Sequence, residues 1–164
     1  MKKYFAIMMM ILVYGNGLSQ TFNEAWADIK FEKAEDYKAH EAEILQCAKY
    51  ILTVPMNDFN RQDALNPLAK WMSGTPDYNF VINERVTKLN DGNEFVMSVY
   101  MSSMVKFVLE NKDKAKNPDE VELQSFSSML DYMADHDHKF RITRDIQKAI
   151  DAKRKGKLDQ YLKK

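Results

Sequence analysis

The chain has one cysteine, Cys47, so it cannot form an internal disulfide bond. It has only five glycines and four prolines, most of which lie where helices would be expected to begin or end. A glycine-rich phosphate loop, a nucleophile elbow and a paired-cysteine motif are all missing. These absences exclude a disulfide-stapled scaffold. They also lower the expectation of an enzyme, although they leave open an active site that is assembled only in three dimensions.

Residues 1–19 have the three-part pattern of a secretory signal peptide. Two lysines precede a short apolar run at residues 4–14, and Gly17 and Ser19 supply the small residues of a cleavage site. The apolar run is shorter than the about 20 residues that a membrane span needs. We therefore expect cleavage after Ser19, an exported protein in the periplasm or outside the cell, and a mature chain of residues 20–164 without a transmembrane anchor.

Charge is balanced over the whole chain, with 24 basic and 24 acidic residues, but it is unevenly placed. Residues 139–164 contain ten Lys or Arg and three Asp, whereas residues 20–138 are acidic overall. The end of the chain, from about residue 153, is a basic tail whose candidate interaction residues are Lys153, Arg154, Lys155 and Lys157. Such a tail either packs against the acidic body or attaches to an anionic envelope component or an acidic protein. Nucleic acid is not an expected partner of an exported protein with an acidic body.

Hydrophobic periodicity predicts an all-α fold, a single irregular bundle of five or six helices in one domain over residues 20–164. Asn117 is predicted to cap one helix, and the last helix is predicted to begin at residue 143 or 144. Two details stay open. Pro67 lies either at a kink or in the first turn of a helix, and residues 80–82 are either helical or extended. The predicted helices cover about 36–53, 60–74, 75–90, 93–110, 117–134 and 144–156.

The most apolar segment is 95–109, in which eleven of fifteen residues are apolar. A helix of this kind belongs in the middle of a bundle. Three of its four exceptions form one narrow polar stripe, Ser98, Ser102 and Lys106, and Ser103 lies beside it. We expect this polar side to tolerate added charge, at Ser102 in particular. The methionines at 97, 101 and 104 share a face, and core packing is favoured there over Cu(I) binding. Cys47 is likewise expected to be buried and inert.

The stretch His136-Asp137-His138 follows Asp135 and is the candidate metal site. In an extended loop the two imidazoles would point to the same side, and the carboxylate of Asp135 could complete a set of three ligands. Loops between helices that are rich in Asp and His also occur without any metal. His136, His138 and Asp135 are therefore the candidate ligands, and binding nothing is the alternative.

The corner Trp71-Met72-Ser73-Gly74-Thr75-Pro76-Asp77-Tyr78 is the most distinctive local motif. With the helix around Cys47 before it and the apolar helix around Tyr100 after it, this corner resembles small exported all-helical bacterial proteins of unknown function. That resemblance implies no activity and no cofactor. Trp71 and Tyr78 are candidate interaction residues if they are exposed. In the alternative, Trp71 anchors the helix end and Gly74 takes a left-handed turn.

These patterns predict an exported helical domain and favour a non-enzymatic binding or interaction protein of the cell envelope over an enzyme. The alternative is a periplasmic module that binds a small ligand or a metal through the loop of His136 and His138. We distinguish the two by the surface: a closed core with an apolar or charged patch favours the first, and a deep pocket with converging polar groups favours the second.

Overall fold

The computed structural model describes residues 26, 28–90, 93 and 95–163. This part of the chain is all-helical, as predicted, and contains no strand. The predicted leader and its cleavage site lie outside the described residues. Among the described helices, none combines the length and apolar character that a membrane span requires. The described residues form α1 (Ala34–Ala39), α2 (Glu41–Ile51), α3 (Arg61–Gly74), α4 (Glu84–Asn90), α5 (Phe95–Glu110), α6 (Pro118–Ala134), a 3-10 turn (His136–His138), α7 (Arg144–Arg154) and α8 (Leu158–Leu162).

The described chain has more helices than the five or six expected because one predicted helix is divided and a further helix follows the last predicted one. The helix expected over 36–53 is split into α1 and α2 at His40, where the backbone (φ −99°, ψ 11°) departs from helical values. At the other end, a turn at Lys155 and Gly156 separates α7 from α8. The φ of +65° at Gly156 lies in the left-handed region, which glycine adopts without a steric penalty.

The central helix is α5, which packs against α2, α3, α4 and α6. The prediction that the polar side of α5 tolerates added charge is wrong at Ser102 and Ser103, because neighbouring helices also cover that side and both serines are buried. Their hydroxyls remain satisfied: Ser102 Oγ donates to Ser98 O at 2.8 Å, and Ser103 Oγ donates to Val99 O at 2.9 Å. Serine is compatible with this interior because its small hydroxyl bonds to its own helix.

The buried apolar residues form two clusters, and α5 contributes to both. Its first half packs with α4, α6, α7 and α8 around Phe126. Its second half packs with α2 and α3 around Trp71. Cys47 lies in the second cluster, as predicted, and Met104 lies in the first, where it packs in the core. The free energy that holds the described helices together therefore comes mainly from apolar burial on both sides of one central helix.

Helix α3 runs from Arg61 through Pro67 to Gly74, which excludes the alternative start at Asn66. The left-handed turn predicted for Gly74 is also wrong, since this glycine is the last residue of the helix and its φ is not positive. Glycine has another effect there: it leaves room for the Tyr37 ring, whose hydroxyl end a Cβ atom at this position would displace.

The helix predicted to open at residues 75–77 is wrong, because residues 75–83 are not helical and residues 76 and 77 form a bend. Tyr78 and Phe80 both face Trp71, with ring centroids 5.4 and 6.0 Å away. Residues two apart share a side in an extended chain and not in a helix, so this packing fits the non-helical chain found at these residues. Helix α4 begins only at Glu84, after Asn83 Oδ1 has accepted the backbone N–H of Arg85 at 2.6 Å.

The predicted starts of α6 and α7 are confirmed. The side chain of Asn117 accepts the backbone N–H of Glu120 at 3.3 Å, and Pro118 occupies the first helical position. Thr143 Oγ1 accepts the backbone N–H of Ile146 at 3.3 Å. Each cap satisfies one of the backbone donors that a helix start leaves unpaired.

Candidate functional site

Trp71 does not form an exposed aromatic patch. Its side chain is fully buried, and its Nε1–H donates to Tyr37 O at 2.8 Å. Tyr78 is partly buried and donates its hydroxyl proton to Glu41 Oε1 at 3.1 Å. Burial and, next, the neighbouring Glu41 carboxylate raise the pKa of Tyr78 to about 12. The architectural alternative is therefore the one the packing supports for Trp71.

The candidate metal residues are not arranged as the extended-loop hypothesis required. Residues 136–138 form a 3-10 turn, in which residues two apart point in different directions. His138 stacks on Tyr132 with ring centroids 3.9 Å apart, while His136 is exposed. Asp135 Oδ1 accepts the backbone N–H of Asp137 at 2.9 Å, and its Oδ2 lies 4.0 Å from His138 Nδ1. In the described part of the chain, no three His, Cys, Asp or Glu residues are grouped in a way that could hold a metal ion.

The basic tail is divided between packing and exposure. Lys153 Nζ donates to Ser127 O at 2.8 Å and forms an ion pair with Asp131, so this lysine attaches α7 to α6. The other three candidate residues of the tail are exposed: Arg154, Lys155 and Lys157. Beyond them, α8 packs against α6 and α7. The tail therefore contributes to the body as well as presenting charge to solvent.

A surface that the sequence did not indicate lies around two phenylalanines. Of the large apolar side chains in the described residues, Phe59 is the most exposed, at 86%, and Phe95 is exposed by 44%. Both line an open cleft of 410 Å³, together with Met56 and Arg61. Exposure of large apolar side chains beside a cleft is typical of an interaction site.

A second cleft, of 520 Å³, adjoins the first at Met56 and Phe95 and is also lined by Lys139 and Arg141. We call the two clefts together the Phe95 surface. Asn93 connects its parts: its Oδ1 accepts the backbone N–H of Phe95 at 3.2 Å, and its Nδ2 donates to Arg141 O at 3.1 Å. The start of α5 is thereby fixed against the segment that follows the 3-10 turn.

Arg61 connects chain segments that lie around the first cleft. Its Nη1 lies within hydrogen-bond distance of Ile51 O (2.6 Å), Val54 O (3.2 Å) and the Tyr132 hydroxyl (3.0 Å). Ile51 is the last residue of α2, so the guanidinium lies at a helix carboxyl end, where cations are favoured. The Tyr132 hydroxyl donates in turn to Val54 O at 2.7 Å. One arginine therefore joins the end of α2, the start of α3 and the end of α6.

The charge of Arg61 is not neutralised by an ion pair in the described residues. The residue is 8% exposed, and its Nη2 is buried without a hydrogen-bond partner there. Burial lowers the pKa of Arg61, while Tyr132 and Asp58 act in the opposite direction; an arginine still keeps its proton at any physiological pH. Asp58 Oδ1 is occupied by the Tyr50 hydroxyl (2.8 Å) and the backbone N–H of Asn60 (3.0 Å).

Lys139 and Arg141 add two exposed positive charges at the second cleft. Lys139 ends the 3-10 turn with a φ of 55°, in the left-handed region that non-glycine residues rarely adopt. This sharp turn redirects the chain so that Lys139, Phe140 and Arg141 all reach the cleft. Of the described residues that line the two clefts, Arg61, Lys139 and Arg141 are basic and Asp58 is acidic.

The sequence gives little indication of this surface because its residues come from loops and helix ends. By its pattern, Phe95 belongs to the apolar segment 95–109, and Lys139 and Arg141 belong to the basic segment 139–164. One local signal was present: Phe59 is an isolated aromatic residue in a polar loop, outside every periodic pattern. Comparisons of the chain with protein-family models, curated protein sequences and solved structures find no match. The resemblance carried by the Trp71 corner stays a prediction, and function is argued from the site itself.

Proposed function

We propose that this protein is an exported, non-enzymatic binding protein of the cell envelope, a single helical bundle whose partner docks on the Phe95 surface. The exposure of Phe59 and Phe95 beside two adjoining clefts is the observation that carries the proposal. Aromatic side chains are enriched among the residues that supply most of the binding energy in protein interfaces.

The energetic argument starts from Phe59. Leaving a phenylalanine side chain in water forgoes about 1.5–3 kcal/mol relative to burying it. A partner that covers Phe59 and Phe95 recovers this energy without any rearrangement of the core. The open form of the clefts also favours the surface of a partner over a small ligand, because small-ligand sites enclose most of their ligand.

The alternative of a metal or small-ligand module at the His136 and His138 loop has less support. A ligand there would have to compete with the stacking of His138 on Tyr132. The Phe95 surface requires no such displacement, so we retain it as the proposed site.

The export part of this proposal depends on the leader. Protein isolated from the envelope fraction of cells that make it should begin at Gln20, which N-terminal sequencing or intact mass measures. Retention of Met1 in that fraction would contradict export by a cleaved signal peptide.

The binding part is tested by comparing variants in capture experiments. The protein, the variant Phe59→Ser and the variant Phe95→Ser are immobilised and exposed to native envelope extract, and bound proteins are quantified by mass spectrometry. The control is Val81→Ser, which removes a side chain that is 64% exposed and lines neither cleft. We expect the wild type and Val81→Ser to retain the same partner and both phenylalanine variants to lose it. If the four captured sets agree, the Phe95 surface is not the docking site.

A further inference from the structure

We propose that a small cavity between the start of α6 and the segment 79–83 binds a primary ammonium group carried on a short aliphatic chain. The cavity has a volume of 190 Å³ and shares no lining residue with the Phe95 surface. Tyr100, Glu122 and Asn83 give it polar groups, and Val81 and Val121 give it apolar walls. The inference goes beyond the proposed function, and neither depends on the other.

The buried hydroxyl of Tyr100 is the observation that carries the inference. Tyr100 is fully buried and lines the cavity, and its hydroxyl has no hydrogen-bond partner among the described residues. Native proteins satisfy nearly all buried polar groups, so an unpaired hydroxyl at a cavity wall points to a ligand atom there. The Tyr100 ring stands edge-on to Phe126, and Glu122 lies one helical turn before Phe126 on the same side of α6. Burial and, next, the Glu122 carboxylate raise the pKa of Tyr100, as expected for a hydroxyl on the side of that carboxylate.

The carboxylate of Glu122 is held in place at one oxygen. Asn83 Oδ1 accepts the backbone N–H of Arg85 at 2.6 Å, which leaves Asn83 Nδ2 to donate to Glu122 Oε1. Among the described residues, none donates to Glu122 Oε2 or forms an ion pair with this carboxylate. Burial raises the pKa of Glu122, the hydrogen bond from Asn83 opposes this, and Asp119 adds to the increase. A cationic donor at Oε2 would therefore stabilise the charged carboxylate.

These groups favour an ammonium over an anion or a metal ion. The start of a helix attracts anions, but Glu122 and Asp119 line the cavity there and would repel them. The described residues contain no group of three carboxylate, imidazole or thiol side chains that could hold a metal ion. An ammonium has three donors, which suit Glu122 Oε2 and the hydroxyl oxygen of Tyr100. A cavity of about 150 Å³ accommodates benzene, so this one has room for a short carbon chain.

Butylammonium is the probe, and 1-butanol is the uncharged comparison with the same carbon chain. Backbone amide chemical shifts of the isotopically labelled protein follow both titrations at pH 7. We expect butylammonium to shift the amides of residues 79–83 and 119–122 and to bind about tenfold more tightly than 1-butanol, because hydrogen bonds between charged groups are about twice as strong as neutral ones.

The same ammonium chemistry has two sources, a free amine and a lysine side chain of a partner. Nα-acetyl-lysine methylamide presents the butylammonium group on a peptide unit. Tighter binding of this compound than of butylammonium would identify a lysine side chain as the source, and weaker binding would identify a free amine.

Two variants of α6 with the same loss of charge locate the contact. Glu122→Gln keeps the shape and an acceptor for Asn83, and we expect it to bind butylammonium about tenfold more weakly and 1-butanol unchanged. The control is Glu120→Gln. Glu120 pairs with Lys114 at 2.9 Å and does not line the cavity, so this variant should bind like the wild type.

Tyr100→Phe separates the ligand contact from a structural role. The substitution removes the hydroxyl and keeps the ring. Because the hydroxyl has no partner among the described residues, the variant should melt at or above the temperature of the wild type, yet bind butylammonium about three- to tenfold more weakly. A lower melting temperature would show that the hydroxyl is already paired in the free protein and would contradict the inference.

The remaining contrary outcomes also overturn the inference. They are equal affinities for butylammonium and 1-butanol, equal losses of affinity in Glu122→Gln and Glu120→Gln, and unshifted amides at residues 79–83 and 119–122 up to about 50 mM butylammonium. The proposed function is tested separately by the Phe59→Ser and Phe95→Ser captures, since neither phenylalanine lines this cavity.

Discussion

Arg61 joins parts of the chain that are distant in sequence, which gives it a structural role in addition to any effect on ligands. Replacing it by methionine keeps an apolar stem but removes the donor to Ile51 O, whereas Val54 O still accepts from the Tyr132 hydroxyl. Because a buried carbonyl left without a donor costs about 1–3 kcal/mol, we expect Arg61→Met to lower the free energy of unfolding by about 1–3 kcal/mol. Urea unfolding measures this. The exposed neighbour gives the control: Gln62→Met should change stability by less than about 0.5 kcal/mol, and equal effects of the two variants would contradict the role assigned to Arg61.

Cys47 gives a pH-dependent prediction. Burial raises the pKa of its thiol to about 12, from a usual value of 9.0. In the folded protein the thiol should therefore stay unreactive towards a disulfide reagent at pH 8, and unfolding in urea should make it reactive. The unfolded chain loses this proton first, so the contribution of Cys47 to stability is intact below pH 9 and decreases as the pH rises from about 9 to about 12. The difference in stability between wild type and Cys47→Ala, followed across that window, measures the effect. A difference that stays constant with pH would show that the thiol is not buried.

The sequence pattern of α5 predicts the helix correctly but predicts the wrong exposure for one of its sides. Its apolar character predicts a central helix, which is confirmed, but the spacing of Ser98, Ser102 and Lys106 also predicts one exposed polar stripe. In the structure Ser102 is 0% exposed, whereas Ser98 is only partly buried. Serine satisfies its hydroxyl within its own helix, so its presence does not report whether a neighbouring helix lies against it.

The two serines make a matched test, because the same substitution is applied to both. Ser102→Asp places a carboxylate in the interior at a cost of several kcal/mol, about what a typical domain has in total stability, so we expect little folded protein. Ser98→Asp should fold and melt close to the wild type. Circular dichroism and thermal melting compare them. If both variants melt alike, the burial of α5 on that side is wrong.

Local patterns predicted those elements whose determinants are adjacent in sequence. The caps at Asn117 and Thr143 are set by contacts within three residues, and the buried face of α6 follows from its helical period. The Phe95 surface could not be predicted in this way. Phe59, Phe95 and Arg141 come from three separate segments, and their proximity depends on Asn93 and Arg61, whose hydrogen bonds have no sequence signature. Likewise, residues 75–83 are not helical despite their cap-like sequence, and Tyr78 and Phe80 pack on Trp71 instead.

Truncating the end of the chain distinguishes packing from charge as the interaction that attaches α8 to the body. Leu158 is buried, and the Tyr161 ring lies 6.1 Å from that of Phe126 and 5.5 Å from Arg85 Cζ. Ending the chain after residue 157 removes α8 and uncovers part of the cluster around Phe126. Loss of one buried aliphatic and one partly buried aromatic side chain is worth about 3 kcal/mol, which should lower the melting temperature by about 10 °C.

The control ends the chain after Leu162 and removes only Lys163 and Lys164, two of the ten basic residues of the segment 139–164. This shorter deletion should leave the melting temperature unchanged, because it takes charge and no buried apolar surface. Differential scanning calorimetry of the two truncated proteins and the wild type gives the comparison. If the protein ending at residue 157 melts with the wild type, α8 contributes nothing to the core. If the protein ending at Leu162 is destabilised as well, charge rather than packing holds the tail to the body.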